Sequence, residues 1–271
     1  MEEPRAITLS ECAFIRSIIL RDGLTEIGEY AFYNCQNLET IVIPDSVTKI
    51  GPYAFADSGL KSITLPHGLT EIEKTIFCGC YNLETVIIPE TITKIGRHAF
   101  AWTRLKSITL LHGLTEIEEG AFCTCQNLES VVIPETITKI GHYAFAWSGL
   151  ESITLPGGRL TEIGENAFSN CCNLETVVIP KTVTKIGRDA FAYSGLKSIT
   201  LLDGRLTEIE ECTFYSCRNL VTVIIPEMVT KIGPGAFAYS GLKSIMLPHG
   251  VEIGKDAFRG CHNLEVKPQF R

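Results

Sequence analysis

Phe32-Tyr33-Asn34-Cys35-Gln36-Asn37-Leu38-Glu39-Thr40-Ile41-Val42-Ile43-Pro44 is followed, one unit later, by Phe55-Ala56-Asp57-Ser58-Gly59-Leu60-Lys61-Ser62-Ile63-Thr64-Leu65. The two stretches share a Phe, a small residue three positions on, and then Leu-x-x-Ile-x-aliphatic. Both forms recur in alternation to the end of the chain, in units of 22 to 24 residues and double units of 45 or 46. Each unit opens on an aliphatic-Thr-Glu/Lys-Ile segment, from Leu24-Thr25-Glu26-Ile27 through Val47-Thr48-Lys49-Ile50 to Val251-Glu252-Ile253. A fixed period of this size marks a solenoid, in which no isolated unit buries its own apolar face.

Apolar residues alternate at the end of each unit, as in a short strand with one buried face. The expected strands are Ile15 to Leu20, Leu38 to Ile43, Leu60 to Leu65, Leu83 to Ile88, Leu105 to Leu110, Leu128 to Ile133, and so on to Leu242 to Leu247. They stack in parallel. The crossovers are too short for full helices, and Pro44, Pro89, Pro134, Pro180 and Pro226 remove a ladder donor where the strands stop. A second, shorter bent strand falls around Leu24 to Ile27, followed by a turn or single 3₁₀ turn at Tyr30 to Cys35. One Phe per unit, at 32, 55, 77, 100, 122, 145, 168, 191, 214, 237 and 258, forms a continuous core spine. The fold class is a repeat solenoid, with residues 1–271 as a single domain of about 11 coils. Residues 1–23 are a partial N-terminal coil and 251–271 the C-terminal coil.

Ile27-Gly28-Glu29-Tyr30-Ala31-Phe32, Cys35-Gln36-Asn37-Leu38 and Ile41-Val42-Ile43-Pro44, repeated over nearly the whole chain, resemble the BspA-like leucine-rich repeats, also called the Treponema pallidum class. The resemblance implies a right-handed superhelix, with a parallel sheet on one face and short strands or 3₁₀ turns on the other. It also implies a binding role, often in surface proteins of bacteria and parasitic protists that meet host proteins or other cells.

Composition narrows the function. The 31 acidic and 24 basic side chains give a net charge of −7, with no cationic cluster for phosphate counterions to be displaced by, so no nucleic-acid partner is expected. Apolar runs stop far short of a membrane-spanning helix, so no membrane insertion is expected either. Met1 to Arg5 lacks the form of a secretory signal.

Eleven cysteines invite a disulfide reading, but Cys35, Cys80, Cys125, Cys171, Cys217 and Cys261 share a position in alternate coils. Neighbours in this row stand about 9.6 Å apart, twice the strand spacing and too far to bridge. They are expected to be free structural thiols, with Cys12 and Cys212 lacking a partner and the vicinal Cys171 and Cys172 unjoined. The same separation argues against zinc at Cys78, Cys80, Cys123 and Cys125. Free thiols and the missing signal favour an intracellular setting; the family resemblance favours the cell surface or secretion. His67, His112 and His249 recur at one turn position, and no nucleophile stands out from the repeat, so no catalytic residue, metal or cofactor is assigned.

If Ile41 and Ile43 face inward, the intervening positions face out. They are Thr40/Val42, Ser62/Thr64, Thr85/Ile87, Ser107/Thr109, Ser130/Val132, Ser152/Thr154, Thr176/Val178, Ser198/Thr200, Thr222/Ile224 and Ser244/Met246. This hydroxylated, partly aliphatic surface is the expected protein-binding face, concave if the solenoid curves as such folds commonly do. Trp102, Trp147, Tyr193 and Tyr239 form a second candidate, an aromatic row two residues after the Phe, which serves either as a contact surface or as lids over smaller neighbours. The function expected is therefore a non-enzymatic protein-interaction module, adhesin-like or host-interacting. The alternative is a structural, self-assembling repeat segment or a fragment of a larger surface protein, pairing end to end through uncovered strand edges.

Overall fold

The computed structural model describes residues 12 and 14–268. It is a solenoid of about eleven turns built from two kinds of parallel strand. The longer strands run Ser17–Ile19, Thr40–Val42, Ser62–Thr64, Thr85–Ile87, Ser107–Thr109, Ser130–Val132, Thr176–Ile179, Ser198–Leu201, Thr222–Ile224, Ser244–Leu247 and Glu265–Pro268. Each lies in the centre of its Leu-x-x-Ile-x-aliphatic stretch and is shorter than expected, because the flanking Leu and Pro already turn the chain. Ser152 makes only an isolated bridge to Thr176, so the coil at 151–155 lacks its strand. Glu265–Pro268 is a strand that the repeat pattern did not announce; it pairs in parallel with Ser244–Leu247.

The second kind is two residues long and comes from the Glu/Lys-Ile segment: Glu26 pairs with Lys49, Glu116 with Lys139, Lys139 with Glu162, and Glu162 with Lys185. The alternating signs place opposite charges side by side, at 2.8 Å for Lys49–Glu26 and 3.3 Å for Lys139–Glu162. Lys49–Glu26 is exposed and Lys139–Glu162 half-buried, so the exposed pair sets register more than it adds stability. The recurring Thr beside them is satisfied within the fold: Oγ1 of Thr48, Thr93, Thr138, Thr161, Thr184 and Thr230 donates to the Thr carbonyl of the preceding coil.

Between the two strands lie hydrogen-bonded turns, not 3₁₀ helix, in which residues two before and two after each Phe hold positive φ. In the first full coil these are Tyr30 and Asn34, both at 58°. This pair of left-handed residues lets alternate N–H groups across the turn point to the next coil: Tyr30 to Pro52 O, Phe32 to Ala54 O and Asn34 to Ala56 O. The core gains a third hydrogen-bonded ladder where a plain turn would leave donors unpaired. The Phe rings stack inside it, with successive centroids 5.1 to 5.7 Å apart and planes within 16°. From Phe32 to Phe237 they are fully buried.

Glycine matters at one corner. A Cβ on Gly59, Gly149, Gly195 or Gly241 would lie 2.0 to 2.1 Å from a carbonyl oxygen of the preceding coil. All four glycines donate their N–H to the carbonyl of the Cys of the preceding coil, Cys35, Cys125, Cys171 and Cys217, at 3.0 to 3.1 Å. Arg104 holds the equivalent place in one coil, and its N–H bonds Leu83 O instead, so the side chain is accommodated by moving the backbone bond.

One cysteine expectation is overturned. Cys12 and Cys35 form a disulfide, with Cα atoms 5.2 Å apart. Cys12 lies 23 residues before Cys35 and occupies the place that Ser58 or Ser148 takes in other coils, one coil away where the rest of the row is two. That halves the separation and brings the pair within bridging reach. The inference from wholly unpaired thiols to an intracellular setting thereby loses its premise.

The remaining nine cysteines are free. In the row, Cys80, Cys125, Cys171 and Cys217 are buried, and each thiol donates to the carbonyl of the preceding coil's Phe at 3.0 or 3.1 Å. Burial pushes the thiols of Cys80, Cys125 and Cys171 up to about 12. In the unfolded chain they would ionise near 9.0. The unfolded state therefore sheds protons first, and these groups contribute stability that is complete below 9.0 and lost as pH rises toward about 12. Nine thiols should react in denatured, unreduced protein, and exposed Cys172 should be labelled first in the native protein. Rapid native labelling of Cys80, Cys125 or Cys171 would contradict the burial.

Candidate functional site: the strand face

Within each longer strand the centre residue points into the core and its two neighbours point out. Ile41, Ile63 and Ile108 are buried between exposed pairs. Eighteen of the twenty outward residues predicted from alternation are exposed; Ser244 and Met246, near the C-terminal end, are half-buried.

Register brings these residues into two stripes. The first is hydroxylated, with Ser62 beside Thr85, Ser107 beside Ser130 and Thr176 beside Ser198. The second alternates Thr with a larger aliphatic: Thr64 beside Ile87, Thr109 beside Val132 and Thr200 beside Val178. Val132 is 60% exposed and Ile87 57%. An aliphatic side chain at every second coil, left in water at this level, gives the stripe apolar anchor points separated by hydrogen-bonding ones.

A charged row borders the hydroxyl stripe. Lys61 pairs with Glu39 at 2.7 Å and Lys106 with Glu84 at 2.8 Å, and these lysines hold both carboxyls below their usual range through a hydrogen bond and their charge. Where the alternation fails, Glu151 stands between Glu129 and Glu175, and it is this coil that lacks its strand. A groove of about 670 Å³ opens there, lined by Glu151, Ser152, Asn173, Glu175, Thr176, Lys197 and Asn219 among others. Among the described residues no three His, Cys, Asp or Glu side chains come together to hold a metal ion, and no helix is long and apolar enough to cross a membrane.

The aromatic row lies on the turn side of the coil, away from these stripes. Trp102, Trp147, Tyr193 and Tyr239 all occupy the left-handed position after the Phe, with φ between 56° and 62°. Tyr239 lies against the backbone of Gly260, as Asp57 lies against Gly79, so these side chains lean over the following coil. They remain 41 to 49% exposed. Alternation and period find the strand face, whereas the left-handed backbone under the aromatic row has no signal in a single coil. It shows only when the coils are compared, because Asn34, Gly79, Asn170 and Gly260 take the same position.

The repeat is also recognised across the chain. A model of the BspA type leucine rich repeat region matches in six copies, over residues 6–129, 93–204 and 138–265. The chain belongs to the BspA-type leucine-rich repeat family. No match is found among curated proteins. Solved structures share the fold. A leucine-rich repeat protein from Bacteroides ovatus is 22% identical over 94% of this chain and 92% of its own, with a TM-score of 0.51. A leucine rich cell surface protein from Faecalibacterium prausnitzii is 26% identical over 96% of this chain and 81% of its own, with a TM-score of 0.54. The pneumococcal vaccine antigen PcpA is 19% identical over 94% of this chain and 69% of its own, with a TM-score of 0.60.

Proposed function

We propose that this BspA-type solenoid is a non-enzymatic protein-binding module that engages an extended partner through its strand face. The observation that carries the reading is the pair of stripes: hydroxyls at every coil beside aliphatics at every second coil, displayed on coils stacked in parallel register. Such a surface adds many small contacts without ordering mobile loops, which keeps the entropic cost of binding low. The Faecalibacterium relative, a cell surface protein, supports an adhesin-like role at a cell surface or in secretion, with a host or neighbouring cell supplying the partner. The described cysteines include one disulfide, which is at home in an oxidising compartment.

A variant carrying Thr109→Lys, Val132→Lys and Thr154→Lys places bulky charges at the centre of the face without touching the core. It should keep its circular-dichroism spectrum and lose capture of surface-exposed proteins by at least about tenfold, since several central contacts of ~1 kcal/mol are removed together. Undiminished capture would move the interface elsewhere. Light scattering tests the end-to-end alternative: mass that grows with concentration supports assembly of the solenoid itself, and a constant monomer excludes it.

A further inference from the structure

We propose that the aromatic row on the turn side is a second binding site, and that its ligand is a linear β-linked polysaccharide lying along the solenoid axis. Four observations converge. Trp102, Trp147, Tyr193 and Tyr239 sit at one position in alternate coils, and each keeps nearly half its surface in water. All four are held in the left-handed backbone region, where a bulky side chain is disfavoured and where other coils use Gly, Asn, Asp, Ser or Thr. A local rule broken at regular intervals, by rings that keep 41 to 49% of their surface exposed, points to function.

The spacing selects the ligand. Successive Phe rings at 5.5 and 5.4 Å set the coil step, so the exposed aromatics repeat at about 10 to 11 Å. An extended β-(1→4)-linked hexose chain turns the same ring face to one side at every second sugar, a comparable advance. The four rings thus offer three equal steps, the repeat of such a chain. The backbone is locked under each ring, since the N–H groups of Trp102, Trp147 and Tyr193 bond the next coil at 2.8 to 2.9 Å. The platforms are thereby preorganised for stacking. Tyr143 lies parallel to Trp147 at 6.5 Å and Tyr215 fills the step between Tyr193 and Tyr239 at 5.4 and 5.5 Å, widening the apolar track.

The chain carries its own reporter, because Trp102 and Trp147 are its only two tryptophans. Titrating the intact protein with cello-, xylo- and chito-oligosaccharides should change the tryptophan emission with at least one of them, and calorimetry should give its affinity. Trp102→Asn, Trp147→Asn and Tyr193→Asn should each weaken that affinity about two- to tenfold, the value of one aromatic contact. Their melting temperatures should stay level or rise, because Asn suits the left-handed position. The strand-face triple variant should bind the oligosaccharide as wild type does. That separates this site from the protein-binding reading, on which it does not depend. The proposal fails if no oligosaccharide alters the emission or binds, or if binding survives the three ring substitutions. It fails equally if those variants lose thermal stability, which would make the rings structural lids, or if the track captures a protein in place of any glycan.

Discussion

Phe145→Ala should destabilise the protein by about 3 to 5 kcal/mol, the cost of a cavity left by a fully buried ring. Phe145 is 0% exposed and stacks on Phe122 at 5.4 Å and on Phe168 at 5.4 Å. Its N–H is bonded to Ala167 O at 2.9 Å, so the backbone cannot move inward to fill the hole. The loss removes contacts to both neighbouring coils, and in a solenoid coupling between neighbours is what holds the array together. Chemical denaturation should therefore show a lower midpoint, and amide exchange should rise in the coils on either side of the substitution. A loss under about 1 kcal/mol would show that the ring stack is not the core's main support.

Reduction of Cys12–Cys35, or Cys12→Ser, should cost about 3 kcal/mol at the N-terminal end, the chain-entropy value for a closed loop of this length. The bridge spans 23 residues, and both sulfur-bearing residues are nearly fully buried. It ties the first described coil to the second. The effect should be local. Hydrogen exchange should accelerate across Ile15 to Leu24 while the coils beyond Phe55 stay protected, because each coil touches only the next. Uniform acceleration along the chain would mean that the array unfolds as one cooperative unit; no change at all would mean that the bridge adds nothing to the end coil.

Much of the fold and of the strand face was legible in the residues themselves. Ile41, between Thr40 and Val42, announces its burial by alternation alone, and a period near 23 carries that one reading to every other coil. The Phe spine follows in the same way, since a residue repeated once per coil on a buried position has nowhere to go but onto its own copies. Charge alternation from Glu26 to Lys49 likewise anticipates which side chains meet, because parallel stacking in register leaves each residue beside its equivalent.

Tertiary structure decided what depends on where a coil begins and how its backbone turns. Cys12 sits in an incomplete coil whose phase only the stack reveals, so its disulfide with Cys35 emerged from the fold and not from the Cys row. The strand missing at Ser152, where only an isolated bridge to Thr176 remains, has no counterpart in the alternation of that unit, which reads like every other. The strained platforms under Trp102 and Trp147 exist because the turn must aim its N–H groups along the axis, which a left-handed φ achieves for whatever side chain occupies the site. Repetition along the chain thus determined the path and the buried face. Contact between coils determined the covalent tie and the exposed aromatic track, because each arises from two coils acting on one another.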